Sequence, residues 1–169
     1  MKSCLYNYVE GIPDTIVKNA PSGWGLGLSE NGWMTTKSFY EYVSNIFYPW
    51  LINEGIQFPI FIYADNHSSH FSIPLIAFCR KRNIEVIGLI PNTTLIMQPL
   101  DICIFRPFKE AWRKAVPKWK NQNDKFKIEK MYYGAVVKYA LSLIPNEQEL
   151  VITGFTSAGL SPFNPEIVD

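Results

Sequence analysis

Two aspartates in short polar segments are the residues of this chain best suited to chemistry. Asp65 opens the segment Asp-Asn-His-Ser-Ser-His, and Asp101, 36 positions later, closes Gln-Pro-Leu-Asp. Carboxylates are ligands that Mg²⁺ and Mn²⁺ favour, and paired ions of this kind cleave phosphodiesters. The sequence therefore predicts a metal site at Asp65 and Asp101, with activity that depends on a third carboxylate.

Strands and helices of a parallel crossover are predicted to position these aspartates. Apolar, β-branched and aromatic residues fill 58–64 and 84–90, which we expect to be buried strands, and a helix is expected over 72–82 with Ile73, Leu75, Ile76 and Phe78 mostly inward. A strand, a helix and a strand at this spacing are typical of two parallel strands joined by a crossover. Ligands of such sheets bind beyond the carboxyl ends of the strands. A single loop then leads to Asp101, so we expect it on the same side as Asp65. In the alternative interpretation, Asp65 or Asn66 caps the next helix and Asp101 favours a helix start.

Several polar residues near the two aspartates are candidates for orienting a carboxylate or contacting phosphate. His67 and His70 are the two histidines of the chain, and imidazoles serve both roles. The loop before Asp101 adds Asn92, Thr94 and Gln98 as candidates for the same roles. The alternatives are a local hydrogen bond at the histidines and ordinary turn chemistry in the loop.

Charge is concentrated in the middle of the chain. Residues 80–138 hold thirteen Lys/Arg and five Asp/Glu, against a net charge of +1 for all 169 residues. A helix is expected over about 99–119, and on it Arg106, Lys109 and Arg113 share one face, as a phosphate-binding surface requires. A merely solvated face is the alternative. Trp112 and Trp119 are predicted to be core residues rather than base-stacking surfaces.

The remaining composition indicates one globular domain. Hydrophobic residues make up 47% of the chain, enough for a core, and neither a membrane span nor a signal peptide is expected. Three unpaired cysteines suit a reducing cytosolic or nuclear setting. Further helices are predicted from Thr35 or Thr36 to about Leu51, over about 125–143 and over 147–157, with a possible strand around Ile16.

Four ordered motifs resemble the DDE superfamily endonuclease domain of pogo, Tigger and jerky-type transposases, a group that includes domesticated centromere-binding relatives. The motifs are Ser-Glu-Asn-Gly-Trp-Met at 29–34, Asp-Asn-His-Ser-Ser-His at 65–70, Ile-Pro-Asn-Thr-Thr to Gln-Pro-Leu-Asp at 90–101, and Gly-Phe-Thr-Ser-Ala-Gly-Leu-Ser-Pro-Phe-Asn-Pro at 154–165. The resemblance spans roughly residues 5–165. A set in this order is specific, whereas each motif alone is weak.

The resemblance implies a ribonuclease H-like fold, a mixed sheet flanked by helices, in which three acids bind two divalent metals. By position, Asp65 matches the second acid and Asp101 the third. The first acid and its strands are expected upstream of this chain, and Glu10, Asp14 and Glu30 lack the family's surroundings. We expect a catalytic core over about 5–120 and a helical extension over about 121–169. The resemblance also implies DNA as partner, a nuclear location, and self-association or pairing with a full-length relative.

These inferences leave three hypotheses of function. The first is a transposase-derived, nucleic-acid-binding domain that is catalytically incomplete because the first acid is missing. The second is a DNA-binding or partner-assembly module without chemistry. The third is an active metal-dependent endonuclease completed by Asp14 or Glu10.

Overall fold

A computed structural model describes residues 11–91 and 93–167 of the chain. They fall into two compact units. The first comprises residues 11–12 and 25–91, and the second comprises residues 13–24 and 93–167. The whole is a mixed α/β structure that is mostly helical with a small parallel sheet, which agrees with the coarse fold class predicted from the sequence.

The first unit is built around a helical segment and a strand–helix–strand crossover. Its elements are α2 (Thr36–Tyr42), a π-helical segment (Val43–Phe47), α3 (Tyr48–Asn53), β1 (Ile60–Ala64), a 3₁₀ turn (Ser68–His70), α4 (Ile73–Arg80) and β2 (Ile84–Gly88). The two strands pair in parallel, with Ile60 opposite Ile84 and Ala64 opposite Gly88, so the predicted crossover is confirmed.

Local sequence signals set the ends of these helices. The Thr35 hydroxyl accepts from the backbone N–H of Ser38, whose hydroxyl accepts in return from the N–H of Thr35, which is a reciprocal cap. At the other end Gly55 takes a positive φ of 65° just after α3, the left-handed conformation that commonly stops a helix. Both ends agree with the predicted helix.

The core of the first unit lies between the sheet and these helices. Val43, Leu51, Leu75, Cys79 and Ile84 are its buried members. On α4 the buried pair is Leu75 and Cys79, one turn apart, whereas Ile73 is 87% exposed. The prediction that Ile73 points inward is therefore wrong, because residues 75 and 79 define the inward face and residue 73 lies off it.

The second unit is helical. Its elements are α1 (Asp14–Asn19), α5 (Thr94–Met97), a π-helical segment (Leu100–Ile104), α6 (Phe105–Asn123), α7 (Lys130–Ser142), α8 (Glu147–Ser157) and a 3₁₀ turn (Pro165–Ile167). Residues 147–157 are helical as predicted. The strand suggested around Ile16 is wrong, because that residue lies in α1, and the helix expected from residue 125 begins at Lys130.

The core of the second unit lies between α6 and α7. Its buried residues are Ala111, Ala115, Trp119, Val136, Ala140 and Ile144, and Trp112 is partly buried against them. The small side chains of Ala111 and Ala115 let α6 and α7 approach closely, so the residues between them can be packed as densely as in other protein interiors. Trp119 is thus a core residue as predicted, and Trp112 lies at the margin of the core.

Each π-helical segment is followed within three residues by a proline, Pro49 after the first and Pro107 after the second. Proline supplies no N–H and its ring crowds the carbonyl four residues earlier. A wider turn before the proline relieves that conflict, and such widened turns recur at functional sites. The second of these segments carries Asp101.

Candidate functional site

Asp65 directly follows β1, at the carboxyl end of the parallel pair. Its Oδ1 accepts a hydrogen bond from the backbone N–H of His67 at 3.1 Å and lies 2.6 Å from Nδ1 of His70. A carboxylate has only acceptors, so Nδ1 of His70 carries the proton and donates. Both contacts use Oδ1 of a side chain that is 45% exposed. The two donors fix the carboxylate through Oδ1, and a side chain this exposed can be reached by a cation or a polar ligand.

His70 connects this carboxylate to the core. Its side chain is 23% exposed, and its ring lies 4.7 Å from that of Phe39 on α2, centroid to centroid. Packing on one side and the bond to Asp65 on the other fix the imidazole plane. Residues that orient a ligand carboxylate in this way tune a metal site without touching the ion.

His67 makes a local contact instead. Its Nδ1 lies 2.7 Å from the Ser69 hydroxyl and accepts from the Ser69 backbone N–H at 3.3 Å. With Nδ1 accepting, the neutral ring carries its proton on Nε2. This is the local hydrogen bond that the sequence left open as an alternative. The role of His67 in orienting a carboxylate or contacting a phosphate stays a prediction.

Asn66 ties the Asp65 turn to the end of the second strand. Its side-chain amide donates to the carbonyl of Leu89 at 2.6 Å. Gly88 makes room for it, since a Cβ there would lie 2.5 Å from Asn66 Oδ1. Sequence reasoning did not assign this role to Asn66 or to Gly88. The glycine at the end of the second strand was an available signal, because a glycine in a strand often marks a place where another group approaches closely. The capping alternative for Asp65 and Asn66 is wrong for α4, because Ser72 caps that helix.

Asp101 lies in the π-helical segment of the second unit, partly buried. Its backbone N–H donates to the Gln98 carbonyl at 3.0 Å. The helix α8 packs directly on this segment: a Cβ on Gly154 would lie 2.9 Å from the Pro99 carbonyl oxygen and 3.4 Å from Cys103 Cβ. The helical extension thus supports the backbone that presents Asp101.

Gln98 holds a polar atom out of solvent beside this segment. Its side-chain Oε1 is buried, and within residues 11–91 and 93–167 it has no hydrogen-bond partner. Buried acceptors without a partner carry a free-energy penalty of about 1–3 kcal/mol. Gln98 was predicted as an orienting or phosphate-contacting residue, and that role stays a prediction.

The basic face of α6 is exposed as its spacing requires. Arg106, Lys109 and Arg113 are all exposed, opposite the buried alanines. Within residues 11–91 and 93–167, Arg106 Nε lies 3.4 Å from Glu110 Oε1, in a pair whose side chains are 87% and 55% exposed. Such a surface pair contributes at most about 1 kcal/mol, so the guanidinium remains free to exchange it for a phosphate.

The predicted site residues thus fall into two groups. Asp65, His67 and His70 come together in the first unit, whereas Gln98, Asp101 and the α6 face belong to the second. Asn92 lies outside the described residues, as does the side chain of Thr94. Over the described ranges, no group of three or more His, Cys, Asp and Glu is arranged to hold a metal ion.

The donor chemistry at the two aspartates fits a hard divalent cation. Both offer carboxylate oxygens, which suit Mg²⁺ and Mn²⁺, and the Asp65 carboxylate is held in place through Oδ1. His70 donates to that carboxylate through Nδ1, so it supports a ligand rather than acting as one through that atom. The carboxylate also lies just beyond the end of a parallel strand, which is where α/β proteins usually bind their ligands. The fold and the site together indicate an α/β protein with a polar ligand site at this position.

Comparison with known proteins names the family. A sequence model of the DDE superfamily endonuclease family matches residues 4–149, so the chain belongs to that family. It is also similar to the protein named MFS-type transporter clz9 of Cochliobolus lunatus, with 26% identity over 151 residues. The match covers 89% of this chain and 16% of the fungal protein. No solved structure matches significantly. In the described part of the chain, no helix has the length and apolar character to cross a membrane.

Proposed function

We propose that this chain is a nucleic-acid-binding DDE domain of the pogo, Tigger and jerky-type transposase group, with a ribonuclease H-like core. In this proposal Asp65 is the second acid of the triad and Asp101 the third. The observation that carries it is the Asp65 carboxylate, held by His70 just beyond a parallel strand, in a chain that belongs to the DDE endonuclease family. The four ordered sequence motifs support the narrower group.

Asp65 and Asp101 would hold Mg²⁺ or Mn²⁺ in this proposal. When bound, such ions polarise a phosphoryl oxygen and activate water for phosphodiester cleavage. The protein's own contribution at Asp65 is orientation: the His70 N–H and the His67 backbone N–H both fix Oδ1. At Asp101 it is the rigid backing of the segment by α8 through Gly154.

We further propose that this 169-residue chain is catalytically incomplete by itself. Two divalent ions bring a charge of +4, and two carboxylates offset half of it, so a third acid is needed to anchor both ions. None of the upstream acids has the sequence surroundings of the family's first acid. Asp14 lies in the first turn of α1 in the second unit, and Glu10 is outside the described residues.

A plasmid-nicking assay tests catalytic status. With Mg²⁺ or Mn²⁺, we expect the purified chain to nick no more than its Asp65→Asn and Asp101→Asn variants, which keep side-chain shape and remove charge. A Glu30→Gln variant serves as the matched control for loss of one surface acid. Metal-dependent nicking that disappears in both aspartate variants and persists in Glu30→Gln would overturn the incomplete site and favour the active endonuclease.

The basic face of α6 favours a second candidate, a DNA-binding module without chemistry. Binding through Arg106, Lys109 and Arg113 would weaken as salt rises. Each phosphate contact makes the negative slope of log K against log salt concentration steeper by about 0.9. We expect reversal of all three charges to weaken duplex binding and flatten that slope. Lys37→Glu, on α2 with an 85% exposed side chain, is the single-charge control. Equal binding by the wild-type and triple-reversal proteins would refute this interface.

The proposal extends to location and assembly. Membership in the transposase group favours a nuclear location and self-association or pairing with a full-length relative. The transporter name of the fungal protein belongs to a chain of which this one covers 16%, so we base the function on the family. Imaging of the tagged protein and sedimentation at several concentrations test these two points, and a cytoplasmic monomer would contradict both.

A further inference from the structure

A short aromatic cluster lies along one edge of the α6–α7 core. The Trp112 ring is 5.1 Å from that of Tyr133 and 6.1 Å from that of Phe108, between centroids. Tyr133 is 56% exposed, and Trp112 and Phe108 are partly buried. The contacts are tilted, at 49° and 32°, so part of each ring surface is turned away from its neighbour.

This cluster differs from the aromatic residues that build the core. Trp119 and Tyr132 also form a ring pair, at 5.3 Å, but Trp119 is 9% exposed and anchors the buried cluster. Trp112 directly follows Ala111 and precedes Ala115 by three residues, so it lies on the flank of α6 between the buried alanines and the basic face. Tyr133, by contrast, keeps 56% of its surface exposed although α6 packs on α7.

Positive charge borders both rings. Lys109 precedes Trp112 by three residues on α6, and Lys130 precedes Tyr133 by three residues on α7, so each lysine is a surface neighbour of its ring. Arg113 follows Trp112 directly. All three cations are exposed. An apolar ring surface framed by cations complements a ligand with a flat π face and a negative backbone.

We infer that Trp112 and Tyr133 form a stacking site for an unpaired base of single-stranded DNA, with Lys109, Arg113 and Lys130 contacting the flanking phosphates. The inference rests on the proposed DNA-binding function. It adds that the domain distinguishes DNA with an unpaired segment from a closed duplex. Stacking on aromatic side chains suits such a role because every base offers a π face.

Binding to three matched DNA probes tests the stacking site. The probes are a blunt duplex, the same duplex with a thymidine overhang, and the same duplex with an abasic overhang of equal length and charge. We expect the thymidine overhang to bind between about fivefold and about 150-fold more tightly than the abasic one, the range that corresponds to about 1–3 kcal/mol per stacked base. Equal affinity for the two overhangs would overturn the inference.

Variants at Tyr133 assign the effect. Because Tyr133 is 56% exposed, Tyr133→Leu is expected to fold, and it should abolish the preference for the thymidine overhang, whereas Tyr133→Phe should keep it. Phe126→Leu removes a 96% exposed aromatic outside the cluster and should leave the preference intact. A preference that survives Tyr133→Leu, or is lost only in Phe126→Leu, would overturn the site. Salt-dependent duplex binding without an overhang preference leaves the proposed function standing, and absence of binding to all three probes refutes both.

Discussion

The contact between Gly88 and Asn66 allows a sharp test of how the Asp65 turn is held. Replacing Gly88 with alanine puts a Cβ 2.5 Å from Asn66 Oδ1 and 3.2 Å from Phe71 Cζ. Asn66 cannot yield freely, because its amide donates to the Leu89 carbonyl at 2.6 Å. The substitution must therefore displace the Asn66 side chain and strain the turn between Asp65 and His70.

The size of the effect follows from the contacts that are lost. A protein hydrogen bond contributes about 0.5–1.5 kcal/mol net, and overpacking costs about 1–3 kcal/mol. Against these, glycine-to-alanine substitution in a compatible conformation stabilises by about 0.4–1 kcal/mol. We expect Gly88→Ala to lower the free energy of unfolding by roughly 1–3 kcal/mol. Gly27→Ala, with nothing within 4 Å of its Cβ, should be neutral or slightly stabilising.

Urea unfolding of four proteins measures this coupling. The set is wild type, Gly88→Ala, Asn66→Ala and the double variant, with Gly27→Ala as control. If the Asn66 side chain is what the new Cβ meets, the double variant is less destabilised than the sum of the singles, by about 1 kcal/mol. Additive effects, or equal stability of Gly88→Ala and Gly27→Ala, would refute the reasoning about this turn.

Three further predictions concern packing and thiol chemistry. Gly134→Ala should destabilise by about 1–3 kcal/mol in urea unfolding, since its Cβ would meet the Asn19 backbone oxygen at 2.6 Å; wild-type stability would contradict the α1–α7 contact. Gly154→Ala should shift the α8 packing and lower Tm, with unchanged Tm as the opposing result. At pH 8 a thiol reagent should label Cys103 before Cys79, because burial and, secondarily, Glu85 raise the pKa of the Cys79 thiol despite the opposing Arg82 charge; mass spectrometry showing Cys79 labelled first would refute this order.

Sequence reasoning succeeded where the signal is local. The strands around 60–64 and 84–88 are short apolar runs with a helix between them, and such patterns specify a parallel crossover almost without reference to the rest of the chain. The last helix, 147–157, follows Asn146 and starts with acidic residues, again a local signal. The placement of Asp65 after the first strand follows from the same pattern.

The features that sequence reasoning missed depend on distant contacts. The segment around Ile16 is a helix whose last residue, Asn19, donates through its side chain to the Met131 carbonyl at 2.7 Å, and no local pattern reveals a partner 112 positions away. The bond from Asn66 to Leu89 similarly joins two loops. The roles predicted for His67, Gln98 and the basic face are contacts with a metal ligand or with phosphate. A pattern of apolar or charged residues cannot identify the ligand that such contacts require.

The widened turn at Leu100–Ile104 fits one extra residue into the helix that carries Asp101. A π turn accommodates one residue more than the α-helical turn it replaces, and each residue of an α-helix advances about 100° around the axis. Deleting one residue between Asp101 and Arg106 would therefore let an ordinary α turn close there, with Asp101 kept at nearly its present angle relative to Arg106 and Arg113. Inserting a residue at the same place would instead swing Asp101 through about 100°. The orientation of the acid against the basic face should therefore survive a one-residue deletion in this segment far better than a one-residue insertion.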